Sequence, residues 1–150
     1  MIDTIQKLRD LTGAGIMECK RALEEAGGKF EKAAEIIKEK GVMRAEKRAE
    51  RTTSAGIVEA YVHNNGRIGV LIEIHAETDF VANSEPFRTL AHNLALQVSA
   101  MNPANVDELL SQPYIKNESV MIGDLVKETI AKVGENIRVY RIARFEVGRE

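Results

Sequence analysis

Ser54 to Glu77, SAGIVEAYVHNNGRIGVLIEIHAE, leaves the chain little choice but a β-hairpin. Two runs of alternating apolar and polar residues flank Asn65-Gly66, a pair suited to the positive backbone angles of a tight two-residue turn. Val58, Ala60 and Val62 share one face of the first run, and Ile68, Val70, Ile72 and Ile74 share one face of the second. NIRVYRIARFEV alternates again near the end, with Ile137, Val139, Ala143, Phe145 and Val147 on its more apolar side. Between these strands the period changes. Phe87, Leu90, Ala91, Leu94, Ala95 and Val98 predict a helix that starts at an Asn83 or Ser84 cap, tolerates Pro86 in its first turn and ends before Asn102-Pro103. A short helix around Val106 to Ser111 and a longer one carrying Ile122, Leu125, Val126, Ile130 and Val133, closed by Gly134, complete the pattern. The fold class is α+β, a three-stranded antiparallel sheet packed by helices on one side. The opposite, mixed face holds Tyr61, Leu71, Tyr140 and Ile142 among Glu59, Glu73, His75, Arg138 and Arg144, enough apolar surface to suggest self-association.

Ahead of the hairpin, three short helical patterns fill residues 2 to 41. Ile2, Ile5, Leu8 and Leu11 form the first stripe, Ile16, Cys19, Leu23 and Ala26 the second, and Phe30, Ala33, Ala34 and Ile37 the third, which is expected to end at Gly41. Lys29 precedes that third helix where a capping side chain would be expected. The expected division is a three-helix domain over 1–41, a basic linker helix over 42–53 and an α+β core over 54–150. In the linker, Arg44, Lys47, Arg48 and Arg51 fall on one helical stripe, flanked by Glu46 and Glu50. A solvated linker face and a contact with RNA or an acidic protein are both open from this pattern.

Charge and composition exclude several classes. A net charge of −2 and the absence of tryptophan speak against a general nucleic-acid binder, so no direct nucleic-acid binding is expected. No apolar run is long enough for a membrane helix, and MIDTIQKLRD lacks the layout of a signal peptide. Cys19 is the only cysteine, so no disulfide forms within the chain and a reducing, cytoplasmic location fits. His63, His75 and His92 have no metal-ligand spacing, TGAG has too few glycines for a phosphate loop, and Glu77 with Asp79 lacks a third group for acid–base work. The expectation is a protein that is not an enzyme and has no cofactor or metal of its own.

What remains is HAETDFVANSEPF, where a strand breaks into Thr78, Asp79 and Phe80 just before a helix. With only four phenylalanines in the chain, one beside an acid at a polar corner needs a reason. It is either a plug buried under the following helix or an aromatic anchor presented by two rigid elements to a partner.

These segments together resemble the elongation factor Ts family of bacteria and organelles. LRDLTGAGIMECKRAL resembles the family's N-terminal signature, HAETDFVA its second through Thr78 to Ala82, and VGENIRVYR a third block. The resemblance implies a ubiquitin-associated-like fold for the three helices and a guanine nucleotide exchange factor for the GTPase elongation factor Tu, engaged in its GDP-bound and nucleotide-free states. It implies that Phe80 wedges into the GTPase and helps dislodge its Mg2+, with Thr78, Asp79 and Val81 placing the ring. It further implies that Leu8, Arg9, Thr12, Gly13 and Ala14 touch the GTPase domain. The chain resembles the short forms with a single core unit, for which a homodimer through the mixed sheet face would replace the missing half. A ubiquitin-like or nascent-chain binding adaptor is the alternative, and it leaves the Thr78–Val81 corner unexplained.

Overall fold

The computed structural model describes residues 1–149, so Glu150, the last residue of the expected core, lies outside the described residues. Helices α1 (Ile2–Thr12), α2 (Ile16–Glu25) and α3 (Phe30–Arg48) open the chain. Strands β1 (Ala55–His63) and β2 (Ile68–Ala76) follow, then a single turn of helix, α4 (Asp79–Ala82), and the long α5 (Glu85–Met101). After α6 (Val106–Ser111) come a small hairpin, β3 (Pro113–Tyr114) with β4 (Asn117–Met121), then α7 (Ile122–Val133) and β5 (Ile137–Glu146). The main sheet is three-stranded and antiparallel, as the alternation predicts, and its strand order is β1-β2-β5.

Two apolar clusters hold the chain. One gathers Leu8, Cys19, Leu23, Ala33 and Ile37 between α1, α2 and α3. The other packs Val70, Ile72 and Ile74 of β2 against Phe87, Leu90, Leu94 and Val98 of α5 and Ile122, Val126 and Ile130 of α7. Burial raises the Cys19 thiol above its ordinary value, as expected of a small core residue. Gln97 is fully buried on α5 and is satisfied: its amide donates to Pro113 O at 3.1 Å, and its Oε1 accepts from the Ile115 N–H at 3.0 Å. This pins the β3–β4 hairpin to α5. Little in the sequence marks that hairpin: NESVM has no alternating apolar pattern and Pro113 argues against a strand.

The third helix does not end at Gly41. It runs to Arg48 and absorbs the first part of the segment expected to be a separate linker helix, whose end at Thr53 is likewise not helical. Gly41 is there for a close approach: a Cβ on it would lie 2.9 Å from the Ala131 Cβ of α7. Two helices meet where a side chain is missing, and Lys38–Glu128 (2.8 Å) and Lys127–Glu46 (3.1 Å) flank the contact.

Two expectations about the sheet are corrected. Val58, Ala60 and Val62 point away from the helices, while Ala55, Ile57 and Tyr61 pack against the core. The turn is responsible. Asn65 and Gly66 both have positive φ and the Arg67 N–H donates to Asn64 O at 3.3 Å, so Val58 pairs with Glu73 and Val62 with Gly69. Directly paired residues share a face, which puts the Val58 set opposite Ile72 and Ile74. On β5, Ile137 and Val139 face the core, but a bulge leaves Tyr140 as an extra residue and turns Ala143 and Phe145 outward. Tyr61 and Ile142, expected on the mixed face, are in turn packed against the core. The outer face is therefore more apolar than expected, with Val58, Val62, Leu71, Tyr140 and Phe145 all exposed.

Candidate functional site

The corner after β2 is built by short-range chemistry. The Thr78 Oγ1 accepts from the Val81 N–H at 3.3 Å, an N-cap that starts α4. Asn83 closes the turn, donating its backbone N–H to Asp79 O at 3.0 Å and its side-chain amide to the same oxygen at 2.9 Å. Arg88 of α5 then holds the Asn83 side chain at 2.9 Å. A single helical turn buries only one side. Val81 (5% exposed) and Ala82 (1%) take that side and join the main core. Phe80 is left on the other side and is 87% exposed. Asp79 is exposed beside it in the first turn. The buried plug is thus excluded for Phe80. The side chain of Val81 is instead an anchor within the fold, not a surface contact.

A second layer fixes this corner from behind. Gly134 caps α7 in the left-handed conformation (φ 75°), and the chain reverses so that Glu135 meets Thr78. Glu135 Oε1 accepts from the Thr78 N–H at 3.0 Å and Oε2 accepts from its hydroxyl at 2.8 Å. The next residue, Asn136, is buried. Its backbone N–H donates to Glu77 Oε1 at 2.8 Å, and its amide donates to Ala49 O at 3.3 Å and Arg51 O at 2.9 Å. Residues that follow α3, the corner after β2 and the end of α7 are thereby tied at one point.

The N-terminal signature residues lie on the last turns of α1 (Leu8, Arg9, Thr12) and in the loop that leads to α2 (Gly13, Ala14). Leu8 is fully buried among the three helices, so it supports that surface and does not form it. Arg9 and Gly13 are exposed, and Thr12 and Ala14 partly so. Thr12 donates to Leu8 O at 2.7 Å and accepts from the Ala14 N–H at 3.2 Å, while Gly13 caps α1 with φ 71°. A Cβ at Gly13 would come 3.3 Å from Lys132 Cγ of α7. The C-terminal end of α7 therefore touches both predicted segments, with Lys132 against Gly13 and Glu135 on Thr78. Leu11, Ile16 and Met17 are each more than half exposed beside this loop. Leu11 and Ile16 lie on the apolar stripes of α1 and α2, but a three-helix core covers only part of such stripes.

A cavity of about 520 Å3 lies between this loop, α3 and α7, with Gly13, Gly41, Arg48 and Lys132 in its lining. Two residues of the basic stripe form ion pairs within the molecule, and Lys47 is exposed. Arg44 meets Glu18 at 2.6 Å, Arg51 meets Glu77 at 3.6 Å and Arg48 turns toward the cavity. Among the described residues, no three His, Cys, Asp or Glu side chains converge as a metal site.

Comparison with known proteins places this geometry in a wider setting. The family described as Elongation factor TS matches residues 77–150, the part that carries the corner, α7 and β5. The chain is 45% identical to Elongation factor Ts of Thermotoga petrophila over 190 residues, covering 98% of this chain and 96% of the relative. It is 42% identical to Elongation factor Ts of Carboxydothermus hydrogenoformans over 189 residues (96% and 87%) and 40% identical to that of Coprothermobacter proteolyticus over 189 residues (96% of each). These aligned lengths exceed the 150 residues of this chain, so the relatives carry a stretch inside the aligned region that it lacks.

Proposed function

This chain belongs to the elongation factor Ts family of translation elongation factors, and on that premise we propose that it is the guanine nucleotide exchange factor for elongation factor Tu. The observation that carries the reading is Phe80, an aromatic ring held 87% exposed on a capped, braced turn. In the proposed action, Phe80 lodges between helices of the GTPase near its nucleotide, loosening the bound Mg2+ and the GDP. Asp79 and the clasped Thr78 orient the ring, and Val81 roots it in the core. Arg9, Thr12, Gly13 and Ala14, with Leu11, Ile16 and Met17 beside them, form a second contact on the ubiquitin-associated-like helices. The chain acts by binding, with no cofactor and no chemistry of its own.

The energetics require both contacts. An exchange factor works by favouring the nucleotide-free partner over the loaded one, and the coupling is reciprocal: GDP weakens factor binding as much as the factor weakens GDP binding. A shift of about four orders of magnitude needs roughly 5.5 kcal/mol of differential binding. Burying one phenylalanine contributes about 1.5–3 kcal/mol. Phe80 supplies part of this, and the N-terminal surface and core contacts supply the rest. Release of a fluorescent GDP analogue from elongation factor Tu, with and without the chain, tests the reading. An adaptor for ubiquitin-like proteins or nascent chains would leave that release unchanged.

The outer face of the sheet is read as a homodimer surface. Val58, Val62, Leu71, Tyr140 and Phe145 give it the apolar content that a solvated face does not need, and a second copy is the simplest cover for it. Light scattering across a concentration series tests this separately from exchange.

A further inference from the structure

We propose that Glu135 is a positioning residue for exchange, its carboxylate setting the orientation of the Phe80 ring through Thr78. The proposal rests on the reading of Phe80 as the wedge and adds a group far from it in sequence.

Thr78 is the N-cap of α4, and Phe80 is only two residues further on. The direction of the ring is set by where α4 begins and how that turn is oriented. Inside the corner, the Thr78 hydroxyl oxygen accepts from the Val81 N–H, which fixes the turn's internal shape. Val81 and Ala82 root the buried side of the turn in the core. Glu135 holds its exposed start. Its two oxygens take the two donors of Thr78, the N–H at 3.0 Å and the hydroxyl at 2.8 Å, and two donors gripped at once fix direction as well as distance. The hydroxyl hydrogen is thereby committed to Glu135, which leaves the oxygen lone pairs for the Val81 N–H. Cap and clasp are compatible and share one atom.

Glu135 itself stands on a fixed base. Gly134 ends α7 just before it, and Asn136 just after it is bonded to Glu77 and to the chain that follows α3. Three residues back, Lys132 lies against Gly13 of the N-terminal loop. A partner that engages that loop and Phe80 together meets two contacts registered on one helix end. Pre-ordering of this kind lowers the cost of ordering at the moment of binding.

The test is release of a fluorescent GDP analogue from elongation factor Tu over a range of factor concentrations, for the full chain and for Phe80→Ala, Glu135→Ala, Glu135→Gln and the double variant Phe80→Ala/Glu135→Ala. Glu135→Ala is expected to slow release at saturating factor by about tenfold while the half-saturating concentration changes by less than about twofold. Glu135→Gln keeps an acceptor for the Thr78 N–H and is expected to lose only about threefold. If Glu135→Ala fails to fold, as judged by its thermal melt, Glu135→Gln carries the test. The double variant is expected to be no slower than Phe80→Ala alone, because a positioning residue has nothing left to position. A wild-type rate for both Glu135 variants beside a slow Phe80→Ala overturns the role of Glu135 and leaves the wedge standing. Effects that multiply in the double variant overturn it as well. An unchanged rate for Phe80→Ala overturns the wedge, and the positioning role falls with it.

Discussion

Glu135 holds Thr78 with both carboxylate oxygens, 3.0 Å from its backbone nitrogen and 2.8 Å from its hydroxyl, across 57 positions of sequence. The pair joins the end of α7 to the start of α4 and leaves Phe80 outside the core, on a turn braced at its first residue. An exposed aromatic on a mobile loop would lose ordering entropy on each encounter, whereas a braced one keeps most of its burial energy for the partner.

The contact between the three-helix region and the core should depend on the missing side chain at Gly41. Alanine in its place favours the helix by about 1 kcal/mol, but its methyl would sit 2.9 Å from the Ala131 Cβ. Overpacking costs about 1–3 kcal/mol. Gly41→Ala is expected to lower Tm by about 2–4 °C, the shift that corresponds to a net loss of about 1 kcal/mol in a domain of this size. Adding Ala131→Gly should recover most of that loss. Calorimetry of the single and double variants checks the pair.

Acid should weaken the fold partly through Glu73. The hydrogen bond from His75 (2.6 Å) and then the one from Arg141 (2.7 Å) hold its carboxyl below the ordinary value of 4.5. Tyr140, stacked on His75, and Arg138, over Tyr140, lie on the same face, and apolar Val58 pairs with Glu73 from β1. A lowered folded value means that the contribution is present in full above 4.5 and is lost as pH falls through the folded value. Glu73→Gln is therefore expected to flatten the decline of stability on the acid side, measured by urea unfolding at a series of pH values below neutrality. An identical slope in both proteins would remove Glu73 from the account.

Self-association should respond to charge on the outer sheet face. Phe145 is 77% exposed and Val62 67%, so lysine at both positions leaves the core untouched. The double variant Val62→Lys/Phe145→Lys is expected to scatter as a monomer at concentrations where the natural chain scatters as a dimer, with the thermal melt of the single chain retained. A natural chain that stays monomeric at high concentration contradicts the dimer.

Much of this is legible in the sequence, for a physical reason. Periodicity reports burial wherever one element packs on one neighbour, so the stripe from Phe87 to Val98 and the stop at Gly134 are found as expected. The pattern misleads where a second partner or an extra residue intervenes. Gly41 reads as a helix stop, but α7 makes it a packing glycine. The Tyr140 bulge shifts the parity of β5, which no count of alternating residues reveals. The facing of β1 was within reach. A two-residue turn at Asn65-Gly66 already dictates that Val58 pairs with Glu73, so reading the turn with the strands places the Val58 set outside. The corner itself was found from residue type and position, but its brace was not, because Glu135 and Asn136 come to Thr78 and Glu77 only through the fold.

The most direct measurement is catalysed release of a fluorescent GDP analogue from elongation factor Tu by the natural chain and by Phe80→Ala, each at saturating concentration, with complex formation followed in parallel. The loss of about 1.5–3 kcal/mol of ring burial predicts release slowed by roughly ten- to a hundredfold, with a complex still formed through the N-terminal surface. Equal release rates from the two proteins would contradict the account.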